Sequence, residues 1–410
     1  MWLRPDAWAG WILLLLGFIV VLLDRTIRSD PRLCITVWVT IAAHAIVAGV
    51  DAFLWVLPVA APDASTFHSM ATQIAAARSF EFGLDYKFYE NLLAGVYAIF
   101  GSSRWAGNMF SILLYSLSCL VFVRLSRRLH GEKYLIPTVL VFGLLPSALL
   151  LASVTLREGW EILFFMLSVY AAVVAPNNAR KVFWVLILIF AAVFMGFSHK
   201  ALLLYSGCLV PLLLAYVGLV DTRINPISAV SVVVSGTVIV FIAIAGLVTL
   251  TESGRSLVWG TIDGNLIEEI RLYRYYLGEL VNPRTAFAIE FDTSSSIAII
   301  KSMITFYVYY LVAAPMSGLE NLKDLYALLE SMLRIVLLGA SLLATFRSGS
   351  RSEVKTMIML LLIYTSMTAL WSIGTTNYGQ AIRHHMLTNW IVILLGVPVL
   401  GQFVSRFIKR

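Results

Sequence analysis

The chain reads as an all-α polytopic membrane protein, a single domain over 1–410 with about eleven transmembrane helices and amphipathic or re-entrant helices on its outer face. Three observations predict this. Apolar residues fill 60% of the 410 positions and charged residues only 13%, with a mean hydropathy of +0.87, which is more apolar surface than a soluble core can bury. The apolar residues are gathered in runs that approach the ~20 residues a helix needs to cross a bilayer. Most of the basic clusters fall in the short connectors between those runs, as the positive-inside rule requires.

The expected spans lie at 8–23, 33–57, 105–123, 134–152, 160–175, 182–197, 201–220, 227–250, 332–346, 356–372 and 386–404. The first lacks a small-residue cleavage site and runs directly into Asp24, Arg25 and Arg28, which suits a retained helix better than a signal peptide. The connectors carrying Arg25, Arg28 and Arg32, then Arg124, Arg127, Arg128 and Lys133, then Arg180 and Lys181, then Arg223, then Arg347, Arg351 and Lys355, and finally Arg406, Lys409 and Arg410 share one side if the N-terminus faces out. Counting 92–100 and 297–314 as crossings would break that agreement, so both are expected to be re-entrant or surface-lying outer helices. Two longer outer stretches follow, a first loop at 58–103 and a segment at 251–331 whose 267–280 part has amphipathic helical spacing. No internal repeat or low-complexity linker is visible.

The chain has 30 Lys and Arg against 23 Asp and Glu, but the topology already accounts for this excess, and no nucleic-acid binding is read from it. Cys34, Cys119 and Cys208 lie in or beside apolar runs without paired spacing, so they suggest neither a disulfide framework nor a zinc site.

With this orientation, polar residues collect at the outer ends of the spans. Asp63 and His68 follow the second; Arg157 and Glu158 turn the chain between the fourth and fifth; His199 and Lys200 turn it between the sixth and seventh; Asn377, Arg383, His384 and His385 precede the last. Ionisable groups at membrane depth are costly and tend to mark a site, and Arg and Lys beside a cavity suit phosphate. The alternative is that they are interfacial loop residues reaching for water. Asp63 is also placed to serve as the N-cap of a helix over 64–77. Asp51 is an anomaly within an apolar run, where an acid costs ~2.5–3.5 kcal/mol on insertion scales; it requires an Arg partner in the bundle or a place on the cavity wall. Glu161, Glu330 and Arg334 raise the same question. The aromatic runs 273–276 and 306–310 suit an interfacial belt or a sugar-stacking platform.

The succession Asp63-Ala-Ser-Thr-Phe-His68, Tyr89, Val96-Tyr-Ala-Ile-Phe-Gly101, Arg104 to Asn108, Leu145-Pro146-Ser147 and Leu156-Arg157-Glu158 resembles integral membrane glycosyltransferases of the GT-C superfamily. It is most similar to their protein mannosyltransferase and aminoarabinose transferase branch and to its exopolysaccharide relatives. The resemblance is clearest over 63–175 and returns at Asn377-Tyr-Gly-Gln-Ala-Ile-Arg383-His-His385, similar to a Gly-Thr-x-x-Arg-x-Arg pattern before the last helix. It implies a GT-C-like bundle in a bacterial inner membrane, working at its outer face. The donor would be a sugar or glycan on a polyprenyl phosphate or diphosphate, the acceptor a glycan or lipid, and the product a surface polysaccharide or glycolipid. Asp63 would then be the catalytic base, and His68, Arg157, Glu158, His199, Lys200, Arg383 and His384 would line the substrate site, with Arg157, Lys200 and Arg383 holding the departing phosphate.

Departures from the family pattern carry expectations of their own. No second carboxylate stands next to Asp63, so no obligatory metal and no cofactor is expected. His199-Lys200 stands where relatives often carry Arg, keeping a charge but losing the bidentate fork. His385 stands where a second Arg is common. Two other functions fit the same pattern: a repeat-unit polymerase of the capsule, exopolysaccharide or O-antigen type, and a lipid or glycan flippase or transporter. The absence of a repeat and of paired midplane Gly or Pro breaks weighs against the transporter.

Overall fold

The computed structural model describes residues 7–57, 61–81, 83–220, 266–276, 286–287, 289–312, 319–320, 322–347 and 350–408. Contacts divide the chain into two compact units, Met1–Gly254 and Arg255–Arg410. Both are helical, and among the described residues the only β pairing is an isolated antiparallel bridge between Ala286 and Asn377.

The first unit contains α1 (Trp8–Leu23), α2 (Arg25–Arg28), α3 (Pro31–Gly49) with a π-helical turn at Val50–Leu54, α4 (Ala61–Ala77), α5 (Tyr86–Phe100), α6 (Arg104–His130), α7 (Leu135–Leu144), α8 (Pro146–Leu151), α9 (Glu158–Val174), α10 (Lys181–Phe197) and α11 (Lys200–Val220). Side chains written into the sequence set the helix starts. Asp24 accepts from the amides of Thr26 and Ile27, Asp30 from those of Arg32 and Leu33 ahead of Pro31, and Ser103 from that of Ala106. The 27-residue α6, about 40 Å long at ~1.5 Å per residue, is the axis of the unit and packs on α1, α3, α5, α7 and α9.

The two ends of α6 differ in chemistry. At its C-terminal end Arg124 pairs with Asp24, and Arg127 donates to the carbonyl of Thr26 and pairs with Glu132. The connectors 24–28 and 124–132 therefore meet at one end of the unit. The other end begins at Arg104 and carries the polar groups described in the next subsection.

The expected span 134–152 is two helices. Pro146 has no amide proton and disfavours helical geometry at the preceding residue, and Leu145 stands at φ −57°, ψ 129°, separating α7 from α8. The stretch 92–100 lies within α5. Neither α4 nor α5 is apolar and long enough to count as a span.

The second unit contains α12 (Leu266–Tyr275), α13 (Ser296–Val312), α14 (Leu322–Arg347), α15 (Arg351–Gly374) and α16 (Tyr378–Ile408). α14 packs on α16, and α13 packs on α15, α14 and α16. Here hydropathy places the helix starts too late. The last helix begins at Tyr378, so Arg383, His384 and His385 lie within its first turns instead of in a loop before it. The start is set by a cap, the Asn377 Oδ1 accepting from the amide of Gln380 at 2.9 Å, and not by the onset of apolar residues. The expected span at 227–250 and Arg223 lie outside the described residues, as does the beginning of the 251–331 segment.

Six described segments are long and apolar enough to cross a membrane: Pro31–Leu54, Arg104–His130, Lys200–Val220, Asp324–Arg347, Arg351–Gly374 and Tyr378–Phe407. Four shorter helices are also apolar: Trp8–Leu23, Leu135–Leu144, Lys181–Phe197 and Ser296–Val312. Large apolar side chains stand exposed along them, among them Leu15, Ile46, Leu186 and Ile300, as suits helices that face lipid. The protein is a membrane protein.

Candidate functional site

In the first unit, Asp85, Arg157 and the turn before Lys200 bring the starts of three helices together. Arg157 occupies the N-cap position of α9, and its Nη1 donates to Asp85 Oδ1 at 2.7 Å and to the carbonyl of Ser198 at 2.9 Å. Its Nε lies 3.7 Å from Glu161 Oε1, which also accepts from the Ser198 hydroxyl at 3.0 Å. Asp85 occupies the N-cap of α5 yet makes no capping bond with its carboxylate, which is turned to Arg157 instead. Its backbone sits at φ 67°, ψ −137°, a conformation that favours glycine and costs an aspartate about 1–3 kcal/mol. Two contacts hold it there, the Arg157 pair and an amide bond to the carbonyl of Phe197 at 2.8 Å.

An apolar bed explains why the 83–88 segment reaches this point. Leu84 is buried with Val193, Phe197 and Leu203, and Phe88 packs edge-on against Trp160 and Phe197. Trp160 Nε1 donates to the carbonyl of Phe194 at 2.8 Å, tying α9 to α10. Gly196 lets α10 and α11 touch, since a β-carbon there would stand 2.5 Å from Leu203 Cα. Arg157 is thus positioned by two carboxylates and a carbonyl, while its Nη2 makes no hydrogen bond or ion pair with described residues and the side chain keeps 17% exposure. Half-buried Lys200, at the first position of α11, likewise makes no ion pair among the described residues.

A second polar network meets the same end of α6. Asp51, in the π-helical turn, takes a bidentate pair from Arg104, with Nε to Oδ2 at 2.7 Å and Nη2 to Oδ1 at 3.1 Å. It also accepts from Asn108 Nδ2 at 3.0 Å and the Leu57 amide at 2.9 Å. The acid that looked anomalous in sequence is therefore fully bonded to an arginine in the bundle. Asn108 Oδ1 in turn accepts from Thr155 Oγ1 at 2.9 Å. Thr155 Oγ1 and the Tyr97 hydroxyl both lie over Gly107, and Tyr97 meets His68 Nδ1 at 2.8 Å. Burial, together with the nearby positive charge of Arg104, pushes the His68 imidazole below its ordinary value. Both effects favour the neutral ring, the form whose free nitrogen can accept from the Tyr97 hydroxyl.

The remaining expected residues are placed as follows. Asp63 lies exposed in the first turn of α4, which begins at Ala61, so it is inside the helix and not its N-cap; an acid there still favours the helix through the macrodipole. The hydrogen bonds and ion pairs of Arg157 go to Asp85, Ser198 and Glu161, and none goes to Asp63. Glu158 is buried as the first residue of α9, and His199 Nδ1 accepts from the Ala201 amide at 3.1 Å. In the second unit, His384 stacks on Trp371 with ring centroids 4.1 Å apart and bonds Thr375 Oγ1 at 2.9 Å. Arg383 is half-buried beside it on α16.

Sequence alone did not single out Asp85. Nothing in Gly-Leu-Asp-Tyr-Lys distinguishes its carboxylate from a loop acid, and only the positive φ and the partner 72 positions away do so. Within 273–276, Arg274 also does more than a belt residue would: it is buried, lies 3.6 Å over the Phe306 ring, and donates to the carbonyls of Ser372, Ile373 and Thr375 at the end of α15. Tyr275 and Tyr276 are exposed, as a belt requires. Among the described residues, no group of three or more His, Cys, Asp or Glu could hold a metal ion. No family model matches the chain, and no curated protein matches it.

Proposed function

We propose that the protein is a membrane glycosyltransferase that takes a sugar or glycan from a polyprenyl-phosphate-linked donor at the outer face of a bacterial inner membrane, for surface polysaccharide or glycolipid synthesis. The observation that supports this best is the junction of helix starts at Arg157 and Lys200, where a guanidinium held by Asp85 and the Ser198 carbonyl, and an ammonium with no ion pair among the described residues, supply the positive charge that a leaving phosphate needs. Helix N-termini add partial positive charge at the same place. The account includes the eleven-span topology with the N-terminus outside, which puts this junction, α4 and α5 on the outer side.

In the proposed reaction the acceptor hydroxyl oxygen bonds to the anomeric carbon and gives its proton to Asp63. The bond from that carbon to the phosphate oxygen breaks, and its electron pair leaves with the polyprenyl phosphate, whose charge Arg157 and Lys200 stabilise. Asp85 acts through Arg157 as a positioning residue.

The test is turnover of a polyprenyl-phosphate sugar by the purified full chain in detergent, where transport has no meaning. Asp63→Asn should lower turnover by roughly 10²-fold or more at normal expression, the loss typical of a general base. Full activity in that variant would exclude a base at this position and favour a polymerase relying on Arg and His. Failure of the wild type to consume any such donor would overturn the transferase proposal and leave the transporter.

A further inference from the structure

The second unit contains a buried arginine that the proposed reaction does not use. Arg334 of α14 is 2% exposed, and its Nη2 donates to the carbonyls of Leu311 at 3.0 Å and Val312 at 3.4 Å, at the C-terminal end of α13, and to Ser331 Oγ at 3.2 Å. Capping a helix end accounts for that one nitrogen. Nε and Nη1 are buried without a hydrogen-bond partner, and no carboxylate lies within ion-pair distance of the guanidinium among the described residues. Glu330, one turn earlier, interacts with its charge from farther away and accepts from Asn389 at 3.5 Å.

Other unpartnered groups surround this charge. Tyr310 of α13 and Tyr364 of α15 are fully buried, their hydroxyls have no partner among the described residues, and both interact electrostatically with Arg334. His385 of α16 is fully buried; its Nε2 donates to the carbonyl of Tyr310 at 2.8 Å and its ring packs on the Tyr310 ring at 4.1 Å, which holds that tyrosine in place. Three helices, α13, α14 and α15, thus bring donors together around one buried charge and leave them unsatisfied among the described residues. Buried donors and an uncompensated guanidinium are each costly, and an apolar lining would cost less, so a cluster of this kind points to an occupant. A neutral water would satisfy some donors but leave the charge. An oxyanion with several acceptor oxygens satisfies both.

We propose that Arg334, Tyr310 and Tyr364 form a phosphate-binding subsite in the second unit, with His385 holding Tyr310 in place. It is independent of the glycosyltransferase proposal, because it requires only that a phosphate group reach these donors. The phosphate could be free or the head group of a lipid, and the experiment separates the two.

The test uses the full chain in phospholipid-free detergent, titrated with inorganic phosphate and, separately, with short-chain phosphatidic acid, at matched ionic strength with chloride. Because Arg334 also caps α13, replacing it endangers folding, and the informative variants are Tyr364→Phe and Tyr310→Phe, which remove hydroxyls that bond nothing among the described residues. Each should weaken phosphate binding about tenfold or more, as loss of a hydrogen bond to a charged group does, without lowering the unfolding temperature of the empty protein. Binding of both probes assigns the site to the phosphate group itself, and binding of phosphatidic acid alone assigns it to a lipid head group. Wild-type protein that binds neither probe, or Phe variants that bind as tightly as wild type, would overturn the subsite.

Discussion

Asp51 and Asp85 hold their charges in ways that sequence exposes to different degrees. An acid in an apolar run signals a buried counter-charge on energetic grounds alone, and Arg104 supplies it. Asp85 carries no such signal; what marks it is a strained backbone and a forgone helix cap, both products of tertiary packing. Asp63 was conspicuous beside Pro62, yet its helix starts two residues before it. Gly107 was also unmarked in sequence, although it makes room for the joint between Tyr97 and Thr155. A β-carbon there would lie 2.4 Å from the Tyr97 hydroxyl and 2.6 Å from Thr155 Oγ1. Gly107→Ala should therefore destabilise the protein by about 1–3 kcal/mol, the usual cost of overpacking, in thermal unfolding. Gly95→Ala is the control: nothing lies within 4 Å of its β-carbon, and the helix should gain up to ~1 kcal/mol. Equal effects at the two glycines would contradict the joint.

At the scale of elements, hydropathy finds helices but misses the chemistry of their ends. The reading of 8–23 coincides with α1, and 160–175 and 182–197 come within a few residues of α9 and α10, because those helices begin where the apolar residues begin. α14 and α16 begin 10 and 8 residues before their apolar runs at 332 and 386, since Asp324, Glu330 and Asn377 are bonded inside the fold. Asp324 accepts from the Tyr378 hydroxyl and from the Glu320 amide. Asn377→Ala should cost about 1 kcal/mol in unfolding free energy by removing the cap of α16, and Asn377→Asp should restore most of it. Equal losses in both would show that the cap does not set this helix start.

For the molecule as a whole, composition sufficed for the membrane class, and the basic connectors suggested a common side for 24–28 and 124–132, which the structure joins through Arg124 with Asp24 and Arg127 with Thr26. The gathering of Arg157, Asp85 and Lys200 at a junction of helix starts depends on pairings 41 and 72 positions apart, which a single sequence cannot show. The central claim is that this junction holds the phosphate of a lipid-linked donor. The most direct measurement is the affinity of the purified full chain for polyprenyl phosphate in wild type, Arg157→Gln and Arg128→Gln. Arg128 is exposed near the opposite end of α6. The account predicts about a tenfold or greater loss in Arg157→Gln and none in Arg128→Gln. Wild-type affinity in Arg157→Gln, or an equal loss in both variants, would contradict it.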